Sequence, residues 1–176
     1  EMNHRVKNTL AMVNVMVSQT LRLADNLRDA QTSLQSRIAM MAQAHDRLIA
    51  ASWAETRLPE VVDAALAAHR TGEGRFDIDG PDIEVGSKQA LAMTMAIHEL
   101  STNASKYGSL SAQGGKVRIC WEEKDDVFTF TWVETDGPPV SPPTKRGFGS
   151  RMIEQALGGY FQGKVELSYD PEGLHF

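Results

Sequence analysis

Glu99, Asn103 and Lys106 stand four and three residues apart. On a helix turning about 100° per residue, that spacing holds an acid, an amide and a cation within roughly 60° of one another. Ala92 and Ala96 fall on the same side, so the polar groups stand over a floor without bulky side chains. Such a face suits a ligand carrying phosphate and a hard cation. An asparagine oxygen is a neutral ligand for Mg2+, which takes few protein ligands and keeps its waters and phosphates. A lysine offers phosphate a point charge. A solvated helix face with an i,i+4 ladder of polar residues has the same spacing.

Two further groups of residues bear chemistry. Gly147-Phe148-Gly149-Ser150, flanked by Lys145, Arg146 and Arg151, precedes an expected helix. Amides freed by glycine at a helix start bind phosphate, and an ordinary turn with a serine N-cap reads identically. Glu134, beside Asp136-Gly137, could accept from a base amino group or be an exposed strand-end acid. Near the start, His4 adjoins Arg5 and shares a helix face with Asn8. Neutral imidazole is a competent nucleophile near pH 7. His45 falls in an apolar seam, and His69 and His175 show no constellation. No histidine, cysteine and carboxylate set has metal-site spacing, and no Gly-x-Ser-x-Gly or Gly-x-x-x-x-Gly-Lys occurs.

The elements that position these groups follow from periodicity. Met2, Val6, Leu10, Val13 and Val17 recur at helical spacing, and Leu34, Ile38, Met41, His45 and Leu48 do so again after a break at 25–29. The two make an antiparallel hairpin whose single apolar stripes need a partner. Leu58 to His69 reads as a helix with Pro59 in its first turn. Short strands are expected at 75–79 and 83–85, and a long helix at 87–107. Alternation over 117–121 and 127–133 predicts a β-hairpin around Lys124-Asp125-Asp126. A short helix at 151–157, ended by Gly158-Gly159, and a strand at 165–169 complete the order. A hinge is expected near Ser52 to Arg57. The fold class is therefore α+β, a two-helix hairpin (1–55) followed by an α/β sandwich (56–176).

The chain has 176 residues, 41% hydrophobic and 23% charged, enough for a sizeable core. No apolar run approaches the roughly 20 residues of a membrane helix. The single cysteine, Cys120, can form no intrachain disulfide and fits a reducing, cytoplasmic compartment. The net charge of −5 is uneven: +2 over residues 1–57 and −7 over 58–176. The larger part thus has no basic face for nucleic acid. Glu1 is no start residue, so a piece of a longer protein is expected.

Glu1-Met-Asn-His-Arg-Val-Lys-Asn8 resembles the phosphoacceptor box of HWE-type sensor histidine kinases. His98-Glu-Leu-Ser-Thr-Asn-Ala-Ser-Lys-Tyr-Gly-Ser-Leu-Ser111 resembles their N-box, Trp132-Val-Glu134 with Gly137-Pro-Pro-Val140 their Trp-x-Glu motif, and Gly147-Phe-Gly-Ser-Arg-Met-Ile153 their second glycine box. The resemblance implies a phosphotransfer and dimerisation hairpin joined to a Bergerat (GHKL-type) ATP-binding domain. It implies His4 as phosphoacceptor, Asn8 as an aid to dephosphorylating the partner, Asn103 as Mg2+ ligand and Glu99 in the N-box acid position that polarises water in related ATPases. Lys106, Tyr107, Gly137, Gly147, Phe148, Gly149 and Arg151 would contact the nucleotide, and Glu134 the adenine amino group. His98 and Trp132 are family markers without an assigned chemistry. Asp136 replaces a glycine usual in the family, and the loop from Glu134 to Gly147 is short, as is typical there.

The expectation is thus a kinase core using ATP and Mg2+ that phosphorylates His4 and passes the group to an aspartate of a response-regulator receiver domain. A sensor domain would lie N-terminal to it, and the hairpin could form a homodimer. A non-catalytic scaffold of the same fold and a plain ATPase remain as rivals.

Overall fold

The computed structural model describes residues 56–70, 74–140, 142 and 157–176, with part of the segment 13–39. The chain divides into two compact units, Glu1–Ala50 and Ala51–Phe176; the sequence reading divides it after residue 55. In the first unit the described residues are helical apart from a bend at Asn26, and Thr20 and Ala30 are buried.

The second unit begins with β1 (Thr56–Arg57), paired antiparallel with β3 (Glu84–Val85). Thr56 and Arg57, expected in a hinge, are thus held in a ladder, and Arg57 forms an ion pair with Asp82 in the turn before β3. That partner holds the Asp82 carboxyl below the usual carboxylate range. Helix α1 (Leu58–Leu66) follows with Pro59 in its first turn, and it buries Leu58, Val61, Val62, Ala65 and Leu66.

Helix α2 (Ser87–Lys106) is the longest described element. The Gly86 amide donates to the Gln89 side chain at 3.0 Å, closing its first turn. Thr94, Ser101 and Thr102 donate back to carbonyls four residues earlier at 2.7–2.9 Å, so hydroxyls sit inside the helix without orphaned donors. Met93, Ile97, Leu100 and Ala104, which share one helix face, are fully buried. Burial extends well beyond it, to Ala92, Met95, Ala96 and Glu99.

The main sheet has the order β2 (Phe76–Asp79), β4 (Lys116–Lys124), β5 (Val127–Thr135), β7 (Gly173–His175) and β6 (Ser168–Asp170). β2 runs parallel to β4, and the other pairings are antiparallel. β4 and β5 pair from Lys116↔Thr135 to Lys124↔Val127. Their two-residue turn places Asp125 and Asp126 at φ 52° and 61°, the left-handed pair that a type I′ hairpin requires. Val117, Ile119 and Trp121 of β4 and Trp132 and Glu134 of β5 form the buried face, with Ile119 opposite Trp132 and Val117 opposite Glu134.

Three expectations for the C-terminal part need correction. Residues 157–161 are helical, so Gly158-Gly159 lies within helical structure rather than ending it. The strand expected at 165–169 is β6 (Ser168–Asp170). β7 (Gly173–His175) inserts between β5 and β6 and was not expected. Trp132 and Phe176 exchange backbone hydrogen bonds at 2.7 and 2.8 Å, which seats this segment against β5.

Candidate nucleotide site

The polar residues of α2 do not lie on a solvated ladder. Glu99 is 7% exposed and continuous with buried Ala92 and Ala96, Asn103 is half-buried, and Lys106 and Tyr107 are exposed. One helix edge thus runs from the interior to solvent, with acid, amide and ammonium in that order. The floor of small residues is itself packed. Asn103 also anchors the helix end, its carbonyl accepting from Tyr107 and Gly108 amides at 2.8 and 3.1 Å.

Past Gly108, a 3₁₀ turn (Ser109–Ser111) carries the chain away from α2. Arg75, just before β2, grips this turn. Its guanidinium donates to the carbonyls of Gly115, Ser109 and Ala112 at 3.1, 3.3 and 2.5 Å. Nothing in the local sequence around Arg75 points to this, because its partners are backbone carbonyls 34–40 residues away.

Glu134 is not a strand-end acid. β5 continues to Thr135, and Glu134 lies on the inward face, 2% exposed. Its Oε1 accepts from the Trp132 indole N–H at 3.2 Å and its Oε2 from the Ser109 amide at 2.8 Å. The Trp-x-Glu spacing puts both side chains on one face of the strand, so the tryptophan of the motif is a hydrogen-bond partner of its glutamate. Trp132 is fully buried, with Phe76 edge-on to it at 6.5 Å.

Backbone segments crowd this carboxyl. A Cβ on Gly108 would lie 2.0 Å from Glu134 Oε2, and one on Gly137 2.5 Å from Ser109 Cα. Gly137 therefore serves close packing between the end of β5 and the 3₁₀ turn. Asp136 beside it has φ 57° and is exposed. The left-handed conformation is the physical reason a glycine suits this position, and aspartate is among the few other residues that adopt it readily.

His98 turns away from this edge. Its Nδ1 lies 3.2 Å from Nε2 of His69, with the rings edge-to-face at 5.0 Å. Partial burial, and then the neighbouring His98, push the His69 imidazole below its usual value. The two histidines thus join α2 to the turn that ends α1.

Of the other expected site residues, His4, Asn8, Gly147, Phe148, Gly149 and Arg151 lie outside the described residues, as does His45. Among the described residues, no group of three or more His, Cys, Asp or Glu could hold a metal ion. No helix there is long and apolar enough to cross a membrane. Cys120 is a free, half-buried thiol on β4.

Comparison with known proteins places this geometry. The HWE histidine kinase family profile matches residues 1–82. A blue-light-activated histidine kinase of Brucella anthropi is 35% identical over 99% of the chain, and one of Brucella ovis is 34% identical over the same share. The chain spans 36% and 37% of those proteins' lengths. The histidine kinase domain of the Erythrobacter litoralis blue-light-activated kinase EL346 superposes with a TM-score of 0.62 at 14% identity, covering 96% of this chain and 91% of that one. The histidine kinase ThkA, solved in complex with the response regulator TrrA, superposes at 0.53 and 14% identity, over 99% and 58% of the two chains. The second unit thus has the α+β fold of histidine kinase catalytic domains. Family profile, curated relatives and fold thus agree, and the chain is similar to the HWE histidine kinases.

Proposed function

We propose that this chain is the catalytic core of a sensor histidine kinase, which transfers the γ-phosphoryl group of ATP to His4 and then to an aspartate of a response-regulator receiver domain. The observation that carries the reading is the graded edge of α2, where buried Glu99, half-buried Asn103 and exposed Lys106 follow one another. This donor set fits a magnesium-bound triphosphate. The Asn103 amide oxygen is the hard, neutral ligand for the cation, and Lys106 is the point charge for phosphate. Tyr107 caps the end of α2 and Gly137 packs on Ser109 of the turn beyond it; both are assigned to the nucleotide by the family motif, as are Gly147, Phe148, Gly149 and Arg151. Bound Mg-ATP supplies the phosphoryl group. Transfer asks of the protein mainly in-line positioning and charge neutralisation.

His4 is the nucleophile of this scheme, its neutral imidazole attacking without prior deprotonation by a strong base. Glu99, buried at the inner end of the edge, is assigned the N-box acid position, which polarises water in related ATPases. Asn8, four residues after His4 in the sequence, is assigned to hold water during dephosphorylation of the regulator. A cytoplasmic location, a sensor domain preceding the core and pairing of two hairpins complete the proposal.

Incubation with γ-labelled ATP tests it. Acid-labile, base-stable label on the protein that disappears in His4→Gln, with nucleotide affinity retained, is the expected result. Free phosphate without protein label would point to a plain ATPase, and label surviving in His4→Gln would move the acceptor elsewhere.

A further inference from the structure

Glu134 carries more structural connections than an adenine contact needs. Both its oxygens already accept protein hydrogen bonds, from Trp132 Nε1 and from the Ser109 amide. It is 2% exposed. Three backbones enclose it so closely that no Cβ fits: Gly108 against Oε2, Gly137 against the Ser109 that donates to it, and Gly173 of β7 against the Glu134 carbonyl, where a Cβ would lie 1.8 Å from the oxygen. The carboxylate keeps unused lone pairs, but with the group 2% exposed and Gly108 packed on Oε2, a base amino group could reach them only if the enclosing backbone moved.

From this enclosure we infer that Glu134 is a positioning residue, which fixes the end of the N-box helix against the base of the glycine loop and does not itself read the base. The inference rests on the nucleotide site proposed above. Its Oε2 holds the first amide after Tyr107-Gly108, and that junction follows directly from Asn103 and Lys106. Its own strand leads within three residues to Gly137. The two segments that would grip the nucleotide from opposite sides are therefore tied through one carboxyl. Trp132 is the second part of the device, since its indole N–H holds Oε1 and so sets the direction in which Oε2 points. The role is indifferent to the identity of the base, because it places groups that meet ribose and phosphates as much as adenine.

The test uses the full chain with Glu134→Gln and Trp132→Phe, titrated with ATP and with inosine triphosphate, which has no 6-amino group, well below the melting temperature. In Glu134→Gln the amide NH2 must face one of the two N–H donors, so one bond is lost and the tie loosens. Affinity for ATP and for inosine triphosphate should fall alike, on the order of tenfold. Trp132→Phe should weaken both in the same direction by a smaller factor. ATP weakened with inosine triphosphate unchanged would show direct base reading and overturn the inference. Unchanged affinities in a folded variant would make the clamp purely structural and overturn it too. Should Glu134→Gln fail to fold, Trp132→Phe alone decides by the same comparison. Failure of the unmodified chain to bind either nucleotide would instead remove the site on which the inference stands.

Discussion

Gly108→Ala measures how firmly the Glu134 carboxyl is held. The added Cβ would lie 2.0 Å from Oε2 and 3.0 Å from both Glu134 Cδ and Ala104 Cα. Ordinary carbon–oxygen contact begins at ~3.3 Å, so the carboxyl must withdraw by about 1.3 Å. The 2.8 Å bond from the Ser109 amide cannot survive that shift. Losing a hydrogen bond to a buried carboxyl costs about 1.5–3 kcal/mol, and overpacking adds about 1–3 kcal/mol. Gly108 sits at φ −105°, ψ −153°, which alanine also adopts, so the stiffer unfolded chain offsets about 0.4–1 kcal/mol. The net loss is about 2–5 kcal/mol, a large share of the roughly 5–15 kcal/mol that a domain has. Thermal melts followed by circular dichroism should show Tm lower by roughly 5–20 °C. Gly159→Ala is the control: nothing lies within 4 Å of its added Cβ, and a helical glycine exchanged for alanine should hold or raise Tm. Adding Gly108→Ala to Glu134→Ala should cost little more than Glu134→Ala alone, since the obstructing group is gone. A Gly108→Ala variant melting within about 2 °C of the parent would refute the enclosure of the carboxyl.

Asn103→Ala should remove the Mg2+-dependent part of ATP affinity, measured by titration with and without the cation, and equal affinity of the unmodified chain under both conditions would count against the metal assignment. The His69–His98 pair predicts a pH dependence of stability. The folded His69 binds its proton less readily than the unfolded chain does, so stability is full above the ordinary histidine value of about 6.5 and falls as pH drops through the lowered folded value. Denaturant melts at pH 5 and 7.5 should differ less in His69→Gln than in the parent, and an unchanged difference would assign the acid sensitivity to other groups.

The long helix and the central hairpin were legible because their patterns are long. Twenty residues of α2 and two nine-residue strands repeat their periods several times over. β1, β3 and β7 have two or three residues each, too few to display a period, and their pairing is set by tertiary contact. Spacing alone put Glu99, Asn103 and Lys106 on one edge, yet it did not distinguish that edge from a solvated face, which the burial of Glu99 now does. The Trp132-x-Glu134 spacing was visible and its inward direction was not. The reason is that the partner closing the arrangement is the amide of Ser109, and a backbone donor leaves no mark on a sequence. His98 and His69 are likewise 29 residues apart, with nothing local to join them.

The left-handed backbone at Asp136 sets the terms on which this loop can change over generations. At φ 57° the chain admits glycine, asparagine and aspartate readily and penalises nearly everything else. Those three differ by a full unit of charge and in hydrogen-bonding capacity while sharing one backbone shape. The position beside Gly137 is therefore a place where drift can alter the local electrostatic field at the end of β5 without disturbing the strand itself. Similar chains would thus diverge in local charge through one codon, with stability almost untouched. Replacement by a β-branched residue would strike the scaffold first, whatever its effect on the ligand.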